Sequence, residues 1–185
     1  FVTPSGLHDA EHYATAHDMA LLTAAALQNE TFREICGQAS AKVCFGNPPY
    51  ERWLTNSNKL LTMDETVIGV KTGFTDEAGR CLVSASVRNG ITLICVTLND
   101  RNDWQDHEVL YDYGFGQLSP QEVTFPADWM LPVTGGTTGT AAVAPAETLT
   151  VGVKDGNMPA WSYQLNTPPF LYAPLTAGQE SGTWK

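Results

Sequence analysis

The sequence predicts an α+β domain followed by a small all-β domain. Three observations carry this. Residues 1 to about 118 mix helical and strand patterns. Within them an Asn89-Gly90 pair joins two strong strand runs. After Gly116 the composition shifts to Pro, Thr, Gly and Val, and no helical period survives. The boundary is expected near Leu118-Ser119, dividing 1–118 from 119–185.

Each element follows from local chemistry. Thr15 opens an alanine- and leucine-rich helix over 15–29, and Asp18, three residues on, is an acidic version of the capping box. Met19, Leu22 and Ala26 give that helix a wide apolar face. Thr31 and Glu34 repeat the capping pattern for a short helix stopped by Gly37. Asn47-Pro48-Pro49 is a turn. Residues 66–72 read as a strand, and 81–87 with 91–98 as a hairpin closed by Asn89-Gly90. Residues 103–114 form a helix capped by Asp103, with Val109 and Leu110 on its apolar face and Gly114 at its end. Further on, 147–154 alternates, Asp155-Gly156 turns and 160–166 alternates again, which predicts a second hairpin. Residues 134–140 make a Gly/Thr loop without the Gly-Lys-Ser/Thr of a phosphate loop.

Composition narrows the function classes. The chain has 185 residues, enough for one or two domains. Hydrophobic residues at 43% and charged residues at 16% argue against disorder. No apolar run reaches the length of a membrane span, and no signal peptide is visible at Phe1. Twenty acidic against ten basic residues give a net charge of −10, which argues against sequence-independent nucleic-acid binding. None of the four cysteines forms Cys-x-x-Cys, which argues against a zinc ribbon. Cys36 and Cys44 are close enough in sequence to close a short loop, while Cys81 and Cys95 read better as buried thiols.

The chemistry converges on Lys71-Thr72-Gly73. Residues 67–75, Val-Ile-Gly-Val-Lys-Thr-Gly-Phe-Thr, form an apolar strand carrying one lysine. A buried lysine is uncommon unless paired or used, and its aliphatic stem can carry the ammonium across apolar surface into a cleft. Thr72 adds a hydroxyl, and Gly73 lets a ligand approach the backbone. Together they suit a carboxylate beside an edge strand. Alone, the tripeptide reads better as a strand end with a solvated lysine than as a site.

The surrounding residues add a resemblance. Phe1-Val-Thr-Pro-Ser-Gly-Leu-His-Asp9 and His12-Tyr-Ala-Thr-Ala-His-Asp-Met-Ala20 resemble the stretch before the Lys-Thr-Gly motif of serine D-alanyl-D-alanine carboxypeptidases, the low-molecular-weight penicillin-binding proteins. Thr55-Asn-Ser-Asn-Lys-Leu-Leu61 is similar to the family's Asn-rich segment. Residues 69–82 resemble the motif strand and its exit, and 110–115 the end of the catalytic domain. The resemblance implies that 1–118 is the C-terminal part of a penicillin-binding-protein/β-lactamase-like catalytic domain, an antiparallel sheet with helices. Residues 119–185 would be the small, incomplete C-terminal β domain.

Of the family's three motifs only Lys-Thr-Gly is present. No serine here has lysine three residues later or asparagine two residues later, and Ser57-Asn58-Lys59 misses by one position. The chain therefore reads as a fragment, inactive and less stable alone, whose missing N-terminal half supplies the nucleophilic serine and its lysine. The resemblance implies acyl-enzyme hydrolysis of peptidoglycan stem peptides ending in D-Ala–D-Ala, with β-lactams as inhibitors. Lys71 and Thr72 would bind the terminal carboxylate, Gly73 would admit the peptide along the strand edge, and the Phe74 backbone N–H would be an oxyanion donor. It also implies an extracytoplasmic site of action; a C-terminal membrane-anchoring helix would lie beyond Lys185. No cofactor or metal is expected. The alternatives are a serine β-lactamase and a non-catalytic relative that binds peptidoglycan or a partner.

Other features have plainer readings. His8, His12 and His17, with Asp9 and Glu11, suggest a metal site less well than loop histidines. Asp76-Glu77 reads as a turn rather than an acid/base pair. Trp104 and Asp106 read as packing and capping. Trp129, Trp161 and Trp184 read as core residues before glycan binders.

Overall fold

The computed structural model describes residues 2–125, 129–158, 160, 162 and 164–184, the last by its backbone alone. They fall into two units, Phe1–Leu118 and Ser119–Lys185. The first contains α1 (Ala16–Ala26), α2 (Glu30–Gly37), β1 (Ser40–Phe45), β2 (Tyr50–Thr55), α3 (Leu60–Met63), β3 (Val67–Thr75), β4 (Gly79–Arg88), β5 (Ile91–Thr97) and α4 (Asp103–Gly116). Strands β3, β4 and β5 form an antiparallel sheet in that order, and β1 with β2 form a separate antiparallel ribbon. This is the α+β architecture the sequence predicts.

The sheet is covered on both faces, and β4 shows the alternation. Leu82 joins Leu60 of α3 and Tyr111 of α4 in one cluster, with Val67 and Cys95. Val83 and Ala85 join Leu27 and Val70 in another, against Met19 of α1 and Cys36 of α2. The expected β4–β5 hairpin is present. Asn89 and Gly90 both take positive φ, 51° and 77°, as a tight turn of matching twist requires.

Thr15 caps α1 as expected. Its hydroxyl accepts the Asp18 N–H at 3.0 Å, and the Asp18 carboxylate accepts the Thr15 N–H at 3.2 Å. Those bonds to Thr15 hold the Asp18 carboxyl below the usual range. The buried face differs from expectation: Leu22 is 53% exposed, whereas Thr23 and Leu27 are buried. Buried Thr23 is tolerated because its hydroxyl donates to the Met19 carbonyl at 2.7 Å.

Three further boundaries shift. Helix α2 starts earlier, because Asn29 caps it by accepting the Phe32 N–H at 3.0 Å. In α4 Asp103 is the first helical residue rather than the cap, and Asn102 holds the cap position. The Asp103 carboxylate is occupied by Arg80, whose Nη2 donates at 2.6 and 2.9 Å and whose Nε donates at 3.2 Å. Helix α4 also runs through Gly114 to Gly116. A Cβ on Gly114 would lie 2.8 Å from Leu93 Cδ1, so this glycine permits close packing on β5 rather than ending the helix. Val109 and Leu110 are exposed; the inward stripe is Asp103, His107 and Tyr111.

Of the β1–β2 ribbon the sequence predicts only the turn at Asn47-Pro48-Pro49, which the structure extends to 46–49. Strand β2 is exposed along its whole length, so its sequence has no in/out alternation to read.

In the second unit β6 (Leu118–Glu122) pairs with β9 (Thr150–Lys154). Strand β7 (Met130–Thr134) pairs antiparallel with β8 (Thr140–Ala142) and parallel with β11 (Leu171–Tyr172). Strand β10 (Leu165–Asn166) pairs with β12 (Thr183–Trp184). The expected 147–166 hairpin is therefore corrected. Asp155-Gly156 does turn, with φ of 55° and 69°, but β9 finds β6 and β10 finds β12. In the sequence Pro159 has no N–H to give a returning strand. Residues 161 and 163 of that expected strand lie outside the described residues, as does Trp161; Trp184 is described by its backbone alone.

Candidate active site

Strand β3 sets the geometry. It pairs with β4 on one side, placing Lys71 opposite Val83, Thr72 opposite Leu82, Gly73 opposite Cys81 and Phe74 opposite Arg80. Among the described residues no strand pairs with its other side. The register shifts between Val67 and Gly69, a bulge that re-aims the residues following it.

The four predicted site residues thus lie consecutively on an edge strand. Lys71 is exposed rather than buried, so the buried-lysine argument does not apply to it. Its ammonium donates to the Thr72 carbonyl at 2.5 Å. Thr72 is half-buried, and its Oγ1 lies 2.8 Å from Ser57 Oγ. Gly73 is exposed, and an added Cβ would come no nearer than 3.9 Å to Cys81. Packing does not require glycine there. The Phe74 ring is 68% exposed. The segment therefore presents an ammonium, a hydroxyl and unobstructed backbone, a donor set suited to an anionic, extended ligand.

A loop after β2 braces this strand. The Asn56 side-chain amide donates to the carbonyls of Cys36 at 3.2 Å and Gln38 at 3.0 Å. Its carbonyl oxygen accepts the Asn58 N–H at 3.0 Å. Asn58 is 2% exposed; its amide donates to the Gly69 carbonyl at 2.9 Å and its oxygen accepts the Leu60 N–H at 3.2 Å. Asn58→Ala would leave both backbone groups without those partners. It should lower unfolding free energy by about 2 kcal/mol, read by urea denaturation. The Asn-rich segment carries no role for Ser57 or Asn58 in the sequence pattern; the signal it offers is two asparagines flanking a serine ahead of a strand.

The remaining candidates separate from this strand or close its end. Residues 76–78 form the expected turn, with the Thr75 hydroxyl accepting the Ala78 N–H at 3.0 Å. His8 Nδ1 lies 3.8 Å from Glu77 Oε2. His12 Nδ1 accepts the N–H groups of Val2 and Thr3 at 3.1 and 3.3 Å. Arg80 stacks over Trp104 at 5.3 Å, and Asp106 accepts from the Asn102 amide at 3.1 Å. All four cysteines are free; Cys95 is buried and Cys81 half-buried. Burial pushes the Cys95 thiol up to about 11.

On the α4 face of β4 lies a buried hydroxyl–imidazole network. Ser84 Oγ is 2.6 Å from His107 Nδ1 and 2.5 Å from Tyr111 Oη, and Thr97 Oγ1 is 3.1 Å from His107 Nε2. Burial drives the His107 pKa down to about 4, against weaker opposing effects of Asp103, Asp100 and Asp106. Burial also raises the Tyr111 phenol. A serine beside a histidine looks like a nucleophile pair. Both residues have 0% exposure, however, so their bonds hold α4 to the sheet.

Comparison with known proteins agrees with this geometry. A profile of the family described as D-alanyl-D-alanine carboxypeptidase matches residues 1–102. The D-alanyl-D-alanine carboxypeptidase DacF of Bacillus subtilis is 27% identical over 191 residues, covering 99% of this chain and 48% of its own. DacB2 of Mycobacterium tuberculosis, also a D-alanyl-D-alanine carboxypeptidase, is 32% identical over 127 residues, covering 64% and 43%. Penicillin binding protein 5 from Haemophilus influenzae superposes with a TM-score of 0.60 at 23% identity, covering 98% of this chain and 54% of that one. The sheet with its Lys-Thr-Gly edge strand has the fold of the penicillin-binding-protein class. Within that class, the chain belongs to the D-alanyl-D-alanine carboxypeptidase family. It spans about half the length of the curated relatives it matches.

Proposed function

We propose that the complete protein carrying this chain is a serine D-Ala–D-Ala carboxypeptidase. It removes the terminal D-alanine of peptidoglycan stem peptides through an acyl-enzyme and is acylated by β-lactams. The observation that carries the reading is Lys71-Thr72-Gly73 on a strand edge, with ammonium, hydroxyl and accessible backbone in one short segment. In this reading Lys71 and Thr72 bind the terminal carboxylate. Gly73 admits the peptide backbone as an added strand. The Phe74 N–H donates to the oxyanion of the tetrahedral intermediate, a contact whose loss typically costs ~10²–10³ in rate.

This sequence holds no Ser-x-x-Lys, so the nucleophile and the lysine that deprotonates it come from outside the chain. Residues 1–118 are then the C-terminal part of the catalytic domain and 119–185 a small β domain. The site of action is outside the cytoplasmic membrane, where peptidoglycan lies. Among the described residues no helix is long and apolar enough to cross a membrane.

Intact mass spectrometry with and without a penicillin tests the proposal. The complete gene product is expected to gain one drug mass stoichiometrically, and this 20.0 kDa chain none. A complete product without an adduct would favour a non-catalytic relative. An adduct on this chain would place a nucleophile where none is read.

A further inference from the structure

We infer that Ser57 is a positioning residue: it sets the direction of the Thr72 hydroxyl and so tunes recognition of a ligand carboxylate. The inference rests on the reading above, in which Thr72 meets the terminal carboxylate of the peptide. A threonine hydroxyl has one proton, two lone pairs and a free rotor. A carboxylate only accepts, so Thr72 serves it only when its proton points outward. Ser57 Oγ lies 2.8 Å from Thr72 Oγ1, within hydrogen-bond range in either direction. With Ser57 donating, a Thr72 lone pair is filled and the Thr72 proton is left for the anion. The two hydroxyls then form a directional chain ending on the ligand, and each bond polarises the next.

Two observations separate this from incidental contact. Ser57 is exposed, so water would satisfy its hydroxyl and the fold does not need the pair. Its placement is nonetheless fixed from both sides. Asn56 is tied to the end of α2, and buried Asn58 is tied to Gly69 of β3, three residues before Thr72. The bracing that holds the loop against β3 thus also sets the distance between the two hydroxyls. The Lys71 ammonium sits at the Thr72 carbonyl, so charge and oriented hydroxyl lie on neighbouring residues.

The test is steady-state hydrolysis by the complete protein of a peptide ending in D-Ala–D-Ala, as free acid and as C-terminal amide. Ser57→Ala should lower kcat/KM on the acid about five- to tenfold. The loss should fall on KM, because the carboxylate is bound alike in ground and transition states. On the amide the same variant should change little. Ser57→Thr should restore the acid activity. Thr72→Val should abolish any further effect of Ser57→Ala, a non-additivity that a merely structural role would not produce. An unchanged melting temperature for Ser57→Ala excludes loss of folding as the cause. An unchanged kcat/KM, equal losses on acid and amide, or additive effects with Thr72→Val would each overturn the inference while leaving the carboxypeptidase reading intact. If the unmodified protein hydrolyses no such peptide, that reading falls and this one with it.

Discussion

Lys71→Ala in the complete protein is expected to lower both kcat/KM on the peptide and the second-order rate of penicillin acylation by about 10²–10³-fold, roughly 3–4 kcal/mol relative to free enzyme and ligand. The size follows from what a ligand does to the site. In the free chain Lys71 is exposed and donates to the Thr72 carbonyl. A peptide lying along the β3 edge would cover the ammonium and bring an anion to it. A charge-assisted bond shielded from water is worth far more than the same pair on an open surface. Removing the ammonium then leaves a covered carboxylate short of its counter-charge. Folding should be nearly unaffected, within about 0.5 kcal/mol, because an exposed residue contributes little packing. Lys71→Arg keeps the charge but changes its shape, and should recover part of the loss. The check is the second-order rate of acylation by a penicillin, followed by mass. A rate unchanged by Lys71→Ala would sink the carboxylate-binding role.

The signals that were legible in the sequence share one property: they are local. The Thr15/Asp18 capping box and the Asn89-Gly90 turn are complete within a few residues, and both are present in the fold. Lys71-Thr72-Gly73 is local in the same way, and the fold places the three residues consecutively on the β3 edge. What escaped depends on long-range partners. Asp103 looks like a helix cap until Arg80, distant in sequence, claims its carboxylate. Gly114 looks like a helix terminator until it is seen inside α4, packed close to Leu93 of β5. Asp155-Gly156 turns as its residues demand, yet the flanking segments pair elsewhere because hairpin closure is decided by what else each strand can meet. Ser57 belongs to this second group. Fifteen residues separate it from Thr72, and only the Asn58–Gly69 bond reveals why the two hydroxyls meet.

His107 should make the protein acid-labile in a defined window. Its folded pKa of about 4 lies below the ordinary 6.5, chiefly because burial penalises the imidazolium. Both ring nitrogens already face hydroxyls, Ser84 at 2.6 Å and Thr97 at 3.1 Å, and a neutral ring satisfies both with one donor and one acceptor. Between pH 6.5 and 4 the unfolded chain binds a proton at this histidine that the folded chain refuses. Stability therefore rises with pH through this window and is complete above 6.5. The full cost reached near pH 4 is about 3 kcal/mol, from the shift between those two values. The carboxylates contribute lower on the scale. Burial works to raise Asp64, but bonds from Thr66 and Arg88 outweigh it and hold its carboxyl below 3.8, so its loss begins only at more acidic pH. Urea unfolding at pH 7, 5.5 and 4.5 measures the effect. The unmodified protein should weaken steadily across that series. His107→Gln, less stable at pH 7 through lost packing, should show a flatter slope over the same range. Parallel slopes for the two proteins would mean that His107 takes up its proton in the folded state, and that the bonds to Ser84 and Thr97 do not hold α4 to the sheet through a neutral ring.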